Sequence, residues 1–177
     1  MKVIETPLID ASVIIVDKHE DERGFFMESF NGEQFEKELG NYNFVQDNHS
    51  KSSKGVLRGL HYQLEKPQGK LMRCTQGAVY DVIVDLRKSS SSFGLWFNIT
   101  LDNPETIMWV PPGFAHGFYT LTDTAEFEYK CTDYYHPQSM KTLMWNELDI
   151  MWPDNIDPLL SEKDAKGKTF EECEKYD

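Results

Sequence analysis

Apolar and polar positions alternate in many short runs along the chain, and turn residues separate the runs. The runs cover residues 13–16, 25–30, 44–49, 56–63, 71–75, 78–86, 93–101, 106–110, 116–121, 125–131 and 142–145, with 78–86 among the longest. Gly55, Gly69, Gly77, Asn103-Pro104 and Pro111-Pro112-Gly113 punctuate them. Strands this short, at a spacing of about 8–12 residues, predict a β-sandwich or barrel. One early helix is predicted: Asn31 caps it, Phe35 and Leu39 share a face, and Gly40 stops it. A second short helix is predicted from Ser161, and residues 169–177 read as an acidic tail, helical or frayed. No repeat or linker interrupts the pattern, so residues 1–177 are expected to form a single domain with the acidic tail from about residue 167.

A chain of 177 residues is long enough to bury roughly two-thirds of its unfolded surface. Aromatics make up 13% and recur inside the strand-like runs, where they are expected in the core or in pocket walls. The formal charge is −12, from 30 acids and 18 bases. That balance argues against a nucleic-acid partner, which needs clustered Lys and Arg. It leaves room for a phosphate-bearing small molecule held by one or two arginines. Cys74, Cys131 and Cys173 show no C-x-x-C spacing, so neither a disulfide framework nor a zinc site is indicated. Cys74 and Cys131 fall in strand-like runs and are expected to be buried and inert. No apolar run reaches about 18 residues, and the N-terminal MKVIETPLID lacks a signal-peptide core. No membrane partner and a cytoplasmic location are therefore expected.

Two stretches carry candidate chemistry: Gly55-Val56-Leu57-Arg58-Gly59-Leu60-His61-Tyr62-Gln63 and Pro111-Pro112-Gly113-Phe114-Ala115-His116-Gly117. A glycine ahead of His61, followed later by a P-x-G-x-x-H box ending at His116, resembles the cupin jelly roll (double-stranded β-helix), a mainly β fold with a few short helices. A metal-binding cupin usually has H-x-H in its first box. Residues 61 and 63 share one face of a strand, but position 63 is Gln, a poor ligand beside imidazole. Glu65, the nearest acid, precedes the turn-like Lys66-Pro67. The metal site reads as dismantled, with one histidine retained. The residues alone leave two other readings open: a satisfied interior histidine, and a metal-dependent oxygenase or isomerase using His61, Gln63 and His116.

Further polar residues interrupt the strand-like runs. Arg23 sits in a turn before an aromatic run, Gln46-Asp47-Asn48 interrupts another, Arg58 precedes His61, and Lys70 follows Gly69. Tyr129 shares a face with Phe127, while Glu126, Glu128 and Lys130 take the other, so Tyr129 points inward. It is either a core aromatic or the wall of a cavity that gives its hydroxyl a partner.

Several blocks, in order, resemble the dTDP-4-dehydrorhamnose 3,5-epimerase family. They are Asp21-Glu22-Arg23-Gly24-Phe25-Phe26, residues 44–50, residues 56–63, Gln68-Gly69-Lys70-Leu71, residues 112–118, residues 126–130, Asp133-Tyr134-Tyr135 and residues 160–164. The resemblance spans residues 4 to 164 and implies a cupin-like homodimer that acts on a dTDP-sugar with no metal and no organic cofactor. It also implies roles. His61 matches the general base, Asp164 its carboxylate partner, Tyr129 the proton donor on the opposite ring face, and Lys70 the cation near the 4-keto oxygen. Arg23, Glu28, Gln46, Asp47, Asn48, Arg58, His116 and Lys163 match substrate contacts, and Tyr135 matches the ring that stacks on thymine. Met140 stands where close relatives often carry a substrate-contacting Glu.

These residue types suit the implied chemistry. A 4-keto group acidifies the hydrogens on C3 and C5, and inversion removes a proton from one face and returns one to the other. A histidine, with an ordinary pKa of about 6.5, suits the removal, and a carboxylate on its second nitrogen fixes the tautomer. Asp164 also fits a helix-capping box, Ser161-x-x-Asp164. Arg23 and Arg58 suit diphosphate oxygens, or else pair with surface acids. His116 either contacts substrate or closes the barrel. Inversion at only C3 or only C5 is the alternative outcome. No G-x-S-x-G, P-loop or G-x-G-x-x-G is present, so hydrolase, kinase and dehydrogenase readings lack support.

Overall fold

The alternating runs become antiparallel strands, each turning one face to a shared interior. The computed structural model describes residues 1–153 and 156–177. In chain order the elements are β1 (Lys2–Glu5), β2 (Ser12–Ile15), β3 (Lys18–Asp21), β4 (Gly24–Met27), α1 (Gly32–Leu39), β5 (Gln46–Ser53), β6 (Leu57–Gln63), β7 (Lys70–Gln76), β8 (Val79–Asp85), β9 (Trp96–Leu101), β10 (Thr106–Val110), β11 (Phe114–Thr120), β12 (Thr124–Cys131) and β13 (Met140–Thr142). A six-stranded sheet runs β1-β2-β10-β7-β12-β5, a five-stranded sheet runs β13-β6-β11-β8-β9, and β3 and β4 form a hairpin of their own. Most consecutive strands from β5 onward alternate between the two sheets, which is jelly-roll winding, as the cupin-like boxes led one to expect.

Three layers of apolar contact hold the sandwich. Between the sheets, Met72, Met108 and Phe127 from one meet Ile83, Leu101 and Phe118 from the other. On the outer face of the six-stranded sheet, Phe35 of α1 meets Trp109 edge-on with ring centroids 5.0 Å apart. The helix begins as predicted, with Asn31 accepting a hydrogen bond from the Gln34 amide, and ends at Gly40. On the outer face of the five-stranded sheet, Val82, Val84 and Leu143 pack with Phe170, Cys173 and Tyr176. The apolar run 78–86 thus becomes β8, a strand covered on both faces.

The structure departs from the pattern where burial is supplied from elsewhere. The C-terminal stretch is not frayed: Tyr176 donates its amide to Leu86 and accepts from Lys88, and Cys173 is buried. Its aromatics cover a sheet face that would otherwise meet water. No α-helix follows Ser161; a 3₁₀ turn spans Asp164–Lys166. β5 is longer than the run that hinted at it, because backbone pairing with β12, not apolar side chains, holds it. Strand β3, Lys-His-Glu-Asp, has no apolar face to reveal it. Phe25 and Phe26, expected in a core or pocket wall, are 56% and 72% exposed, since the hairpin projects from the sandwich.

One close approach sets the middle of the five-stranded sheet. Between the pairs His61–His116 and Arg58–Phe118 the β6–β11 register shifts, so Gly59 and Leu60 stand opposite Gly117. A methyl group on Gly117 would lie 2.6 Å from the Arg58 carbonyl oxygen and 3.0 Å from the Gly59 Cα. Such a bulge re-aims neighbouring side chains, and here those are Arg58 and His61. Gly117→Ala is expected to destabilise the fold by about 1–3 kcal/mol, as overpacking does; urea unfolding of the purified variant measures it.

Candidate active site

At one end of the sandwich the inner faces turn polar and enclose a cavity of about 320 Å³, the size of a small-molecule site. Arg58 and His61 enter from β6 and His116 from β11, all on the five-stranded sheet; Lys70 from β7 and Tyr129 from β12 enter from the other sheet. Tyr135, Lys163 and Asp164 close the cavity from loops.

His61 Nε2 lies 2.5 Å from Asp164 Oδ1. Asp164 is itself held: Ser161 Oγ donates to its Oδ2 at 2.9 Å and accepts from its backbone N–H at 3.1 Å. The capping and histidine-partner readings of Asp164 therefore hold together, one through each side of the residue. Burial by itself would raise the Asp164 carboxyl, but hydrogen bonds from His61 and Ser161 and the nearby positive groups outweigh it and leave it below the ordinary range. An ionised carboxylate accepts the Nε2 proton, which leaves Nδ1 as the basic nitrogen of the ring.

A second imidazole–carboxylate pair lies deeper. His116 Nε2 is 2.7 Å from Asp81 Oδ2, both residues are buried, and the imidazole stacks on Phe127. Burial holds His116 below the ordinary histidine range, against the pull of Asp81. A neutral ring that donates from Nε2 presents Nδ1 as an acceptor. Asp81 was not singled out in the sequence; an acid at an inward position in the middle of the mostly apolar β8 was the available signal.

Burial lowers the Lys70 ammonium, with Cys131 and Asp81 opposing the shift. Burial raises the Tyr129 phenol, so it stays protonated at neutral pH. Lys163 Nζ lies 2.9 Å from Met140 Sδ, so Met140 does line the cavity and supplies no carboxylate. Gln63, weighed in the sequence only as a metal ligand, lines it too, as do Gln68, Ser161 and Tyr176, which the sequence reading gave no role in the site.

The remaining expected contacts are placed elsewhere. Neither Gln46 nor Asn48 lines the cavity; Gln46 accepts from the Tyr135 amide and donates to Asn48, and Asn48 in turn donates to Cys131 Sγ. Asp47 turns to the outer face of β5 and pairs with Lys130. Arg23, at the hairpin tip, is 85% exposed and pairs with Asp21. Glu28 accepts from Asn31 and faces a separate depression beside α1. Within one chain, then, Arg23, Glu28 and Asp47 do not reach the cavity, because hairpin direction and strand alternation turn them away.

The donor set does not fit a cupin metal centre. His61 and His116 each keep one ring nitrogen free, but the Gln63 amide is bonded to backbone, so the remaining cupin position of the first box offers no ligand. Among the described residues no group of three or more His, Cys, Asp or Glu side chains is placed to hold a metal. Nor, among them, is any helix long and apolar enough to cross a membrane.

The sequence profile of the dTDP-4-dehydrorhamnose 3,5-epimerase family matches residues 5–172. The chain belongs to this family. It is 49% identical to the enzyme of that name from Shigella flexneri, over 99% of both chains. It is also 49% identical to the one from Neisseria gonorrhoeae, where it covers 99% of this chain but only 54% of the relative's length. The crystal structure of dTDP-6-deoxy-D-glucose-3,5-epimerase from Legionella pneumophila, in complex with dTDP-4-keto-L-rhamnose, superposes with a TM-score of 0.94 at 45% identity, covering 98% of this chain and 94% of that one.

In this epimerase-family chain, Lys70 stands out as a group placed against its own solvation. The folded protein releases the Lys70 proton at lower pH than the unfolded chain does. Charged Lys70 therefore destabilises the fold at neutral pH, and the effect fades as pH rises toward 10.5, the ordinary lysine value. Lys70→Met is expected to raise the unfolding midpoint at pH 7 by about 2–4 °C, the scale of 1 kcal/mol in a domain of this size. The gain should shrink on the alkaline side; thermal unfolding across a pH series checks both signs.

Proposed function

We propose that the protein inverts C3 and C5 of dTDP-4-dehydro-6-deoxy-D-glucose to give dTDP-4-dehydro-L-rhamnose, with His61 as base. The observation that carries this reading is His61 bonded to buried Asp164, in a cavity whose opposite sheet presents Tyr129 and Lys70. Family membership and the ligand of the Legionella structure support the substrate class.

His61 Nδ1 takes the proton from the carbon next to the ketone. The electron pair moves to the C4 oxygen, giving an enolate, and the Lys70 ammonium stabilises that charge; such a donor typically contributes about 10²–10³ in rate. Asp164 stabilises the imidazolium that forms. Tyr129 then delivers its phenolic proton to the same carbon from the opposite face. The tyrosinate regains a proton from water and the His61 imidazolium releases one to water, which resets the site for the second carbon. No atom is gained or lost.

Arg58, Lys163 and His116 surround the space left for the diphosphate and sugar hydroxyls, and Tyr135, at the mouth, stacks on thymine. Gln46 holds the Tyr135 backbone and bonds to Asn48. The whole chain acts as one cytoplasmic jelly-roll domain and pairs as a homodimer. In that dimer the exposed hairpin carrying Arg23, Phe25 and Phe26, with Glu28 just after it, reaches the substrate of a second copy. That arrangement gives Arg23 and Glu28 a contact they lack within one chain.

Incubation with dTDP-4-dehydro-6-deoxy-D-glucose in D₂O is expected to place deuterium at both C3 and C5. Label at one carbon makes the protein a mono-epimerase, and label at neither sinks the assignment. His61→Asn is expected to lower kcat by about 10²–10⁴, the usual contribution of a general base. A variant turning over near the parental rate contradicts the role of His61.

A further inference from the structure

We propose that Gln63 is a positioning residue for Tyr135 and holds that ring as the platform for the nucleotide base. Gln63 shares the inner face of β6 with His61, where a metal-binding cupin would carry a second ligand. It is buried, and its amide bonds only to backbone. Nε2 donates to the Lys66 carbonyl at 2.8 Å and the Tyr134 carbonyl at 3.2 Å, and Oε1 accepts from the His136 N–H at 2.8 Å. The last two bonds bracket Tyr135. From the other side, Gln46 Oε1 accepts from the N–H of Tyr135 itself at 2.9 Å, and Gln68 Nε2 donates to the Asp133 carbonyl at 2.8 Å.

Tyr135 lies between β12 and the 3₁₀ turn Pro137–Ser139, outside any strand ladder. Side-chain amides therefore take over the backbone bonding that a ladder supplies in a strand. A buried amide left without partners is destabilising, so Gln63 is satisfied only while residues 134–136 keep this path. The Tyr135 ring stays half exposed at the cavity mouth. A platform held in place before the ligand arrives binds more tightly than one that must first be ordered.

This inference rests on the reading of the cavity as a nucleotide-sugar site with Tyr135 against the base. Titration calorimetry with dTDP alone, on the parent, Gln63→Met, Tyr135→Ala and the double variant, tests it. Methionine keeps the length of the side chain and removes its donors and acceptor. Each single change is expected to weaken dTDP roughly tenfold, the scale of one base–aromatic stack, and the double change no more than the stronger single one. KM for the nucleotide sugar should rise in proportion, with kcat and its pH dependence little altered, because His61 and Asp164 are untouched. Gln46→Met, which frees the Tyr135 amide from β5, gives the same weakening without disturbing β6 should Gln63→Met fail to fold. Folded glutamine variants with parental dTDP affinity beside a weakened Tyr135→Ala overturn the positioning role alone, as do single effects that add in the double. Unchanged dTDP affinity in Tyr135→Ala overturns both the platform and its positioning.

Discussion

A carboxylate removed from water persists as an anion only where hydrogen bonds and positive charge replace its hydration. Asp164 meets that condition through His61 and Ser161, and the rest of the site follows from it. The bond to His61 joins β6 to a turn near the end of the chain, so the imidazole is oriented only once the whole sandwich has closed. The same bond selects which imidazole nitrogen faces the cavity. A deeper pair, His116 and Asp81, repeats the arrangement inside the five-stranded sheet.

The jelly roll supplies the other requirement of inversion, two sides. Each sheet contributes one inner face. At the apolar end the faces interlock through Met72, Ile83 and Phe127; at the polar end they part around a cavity. His61 and Tyr129 belong to different sheets, so under the proposed mechanism a ring bound between them would meet an imidazole on one side and a phenol on the other. Lys70, half-buried in the same cavity as Tyr129, is desolvated at a cost to its charged state; under the proposed mechanism that cost is borne for function.

What could be read from the sequence was whatever is written locally. Alternation revealed the buried strands, Asn31 and Gly40 bounded α1, and the P-x-G-x-x-H box located His116. Tyr129 was readable as inward because its neighbours at the even positions are charged. What escaped depends on distant partners. β5 shows no apolar face because backbone pairing holds it. The C-terminal stretch looked loose because the sheet it covers lies far away in sequence. Gln63 looked like a lost ligand, and only the fold shows the loop around Tyr135 that uses its amide. Arg23 and Glu28 carried the right residue types, but the direction of a hairpin is a tertiary property, and here it points away from the cavity of its own chain.

The central claim is that base and acid act from opposite sheets on opposite faces of one ring. Tyr129→Phe in D₂O separates the two steps, because it leaves abstraction intact and removes the proton for the far face. The account predicts that this variant exchanges the C3 or C5 hydrogen for deuterium through His61 while the carbon keeps its configuration. Inversion at the parental rate, or loss of exchange along with inversion, would contradict it.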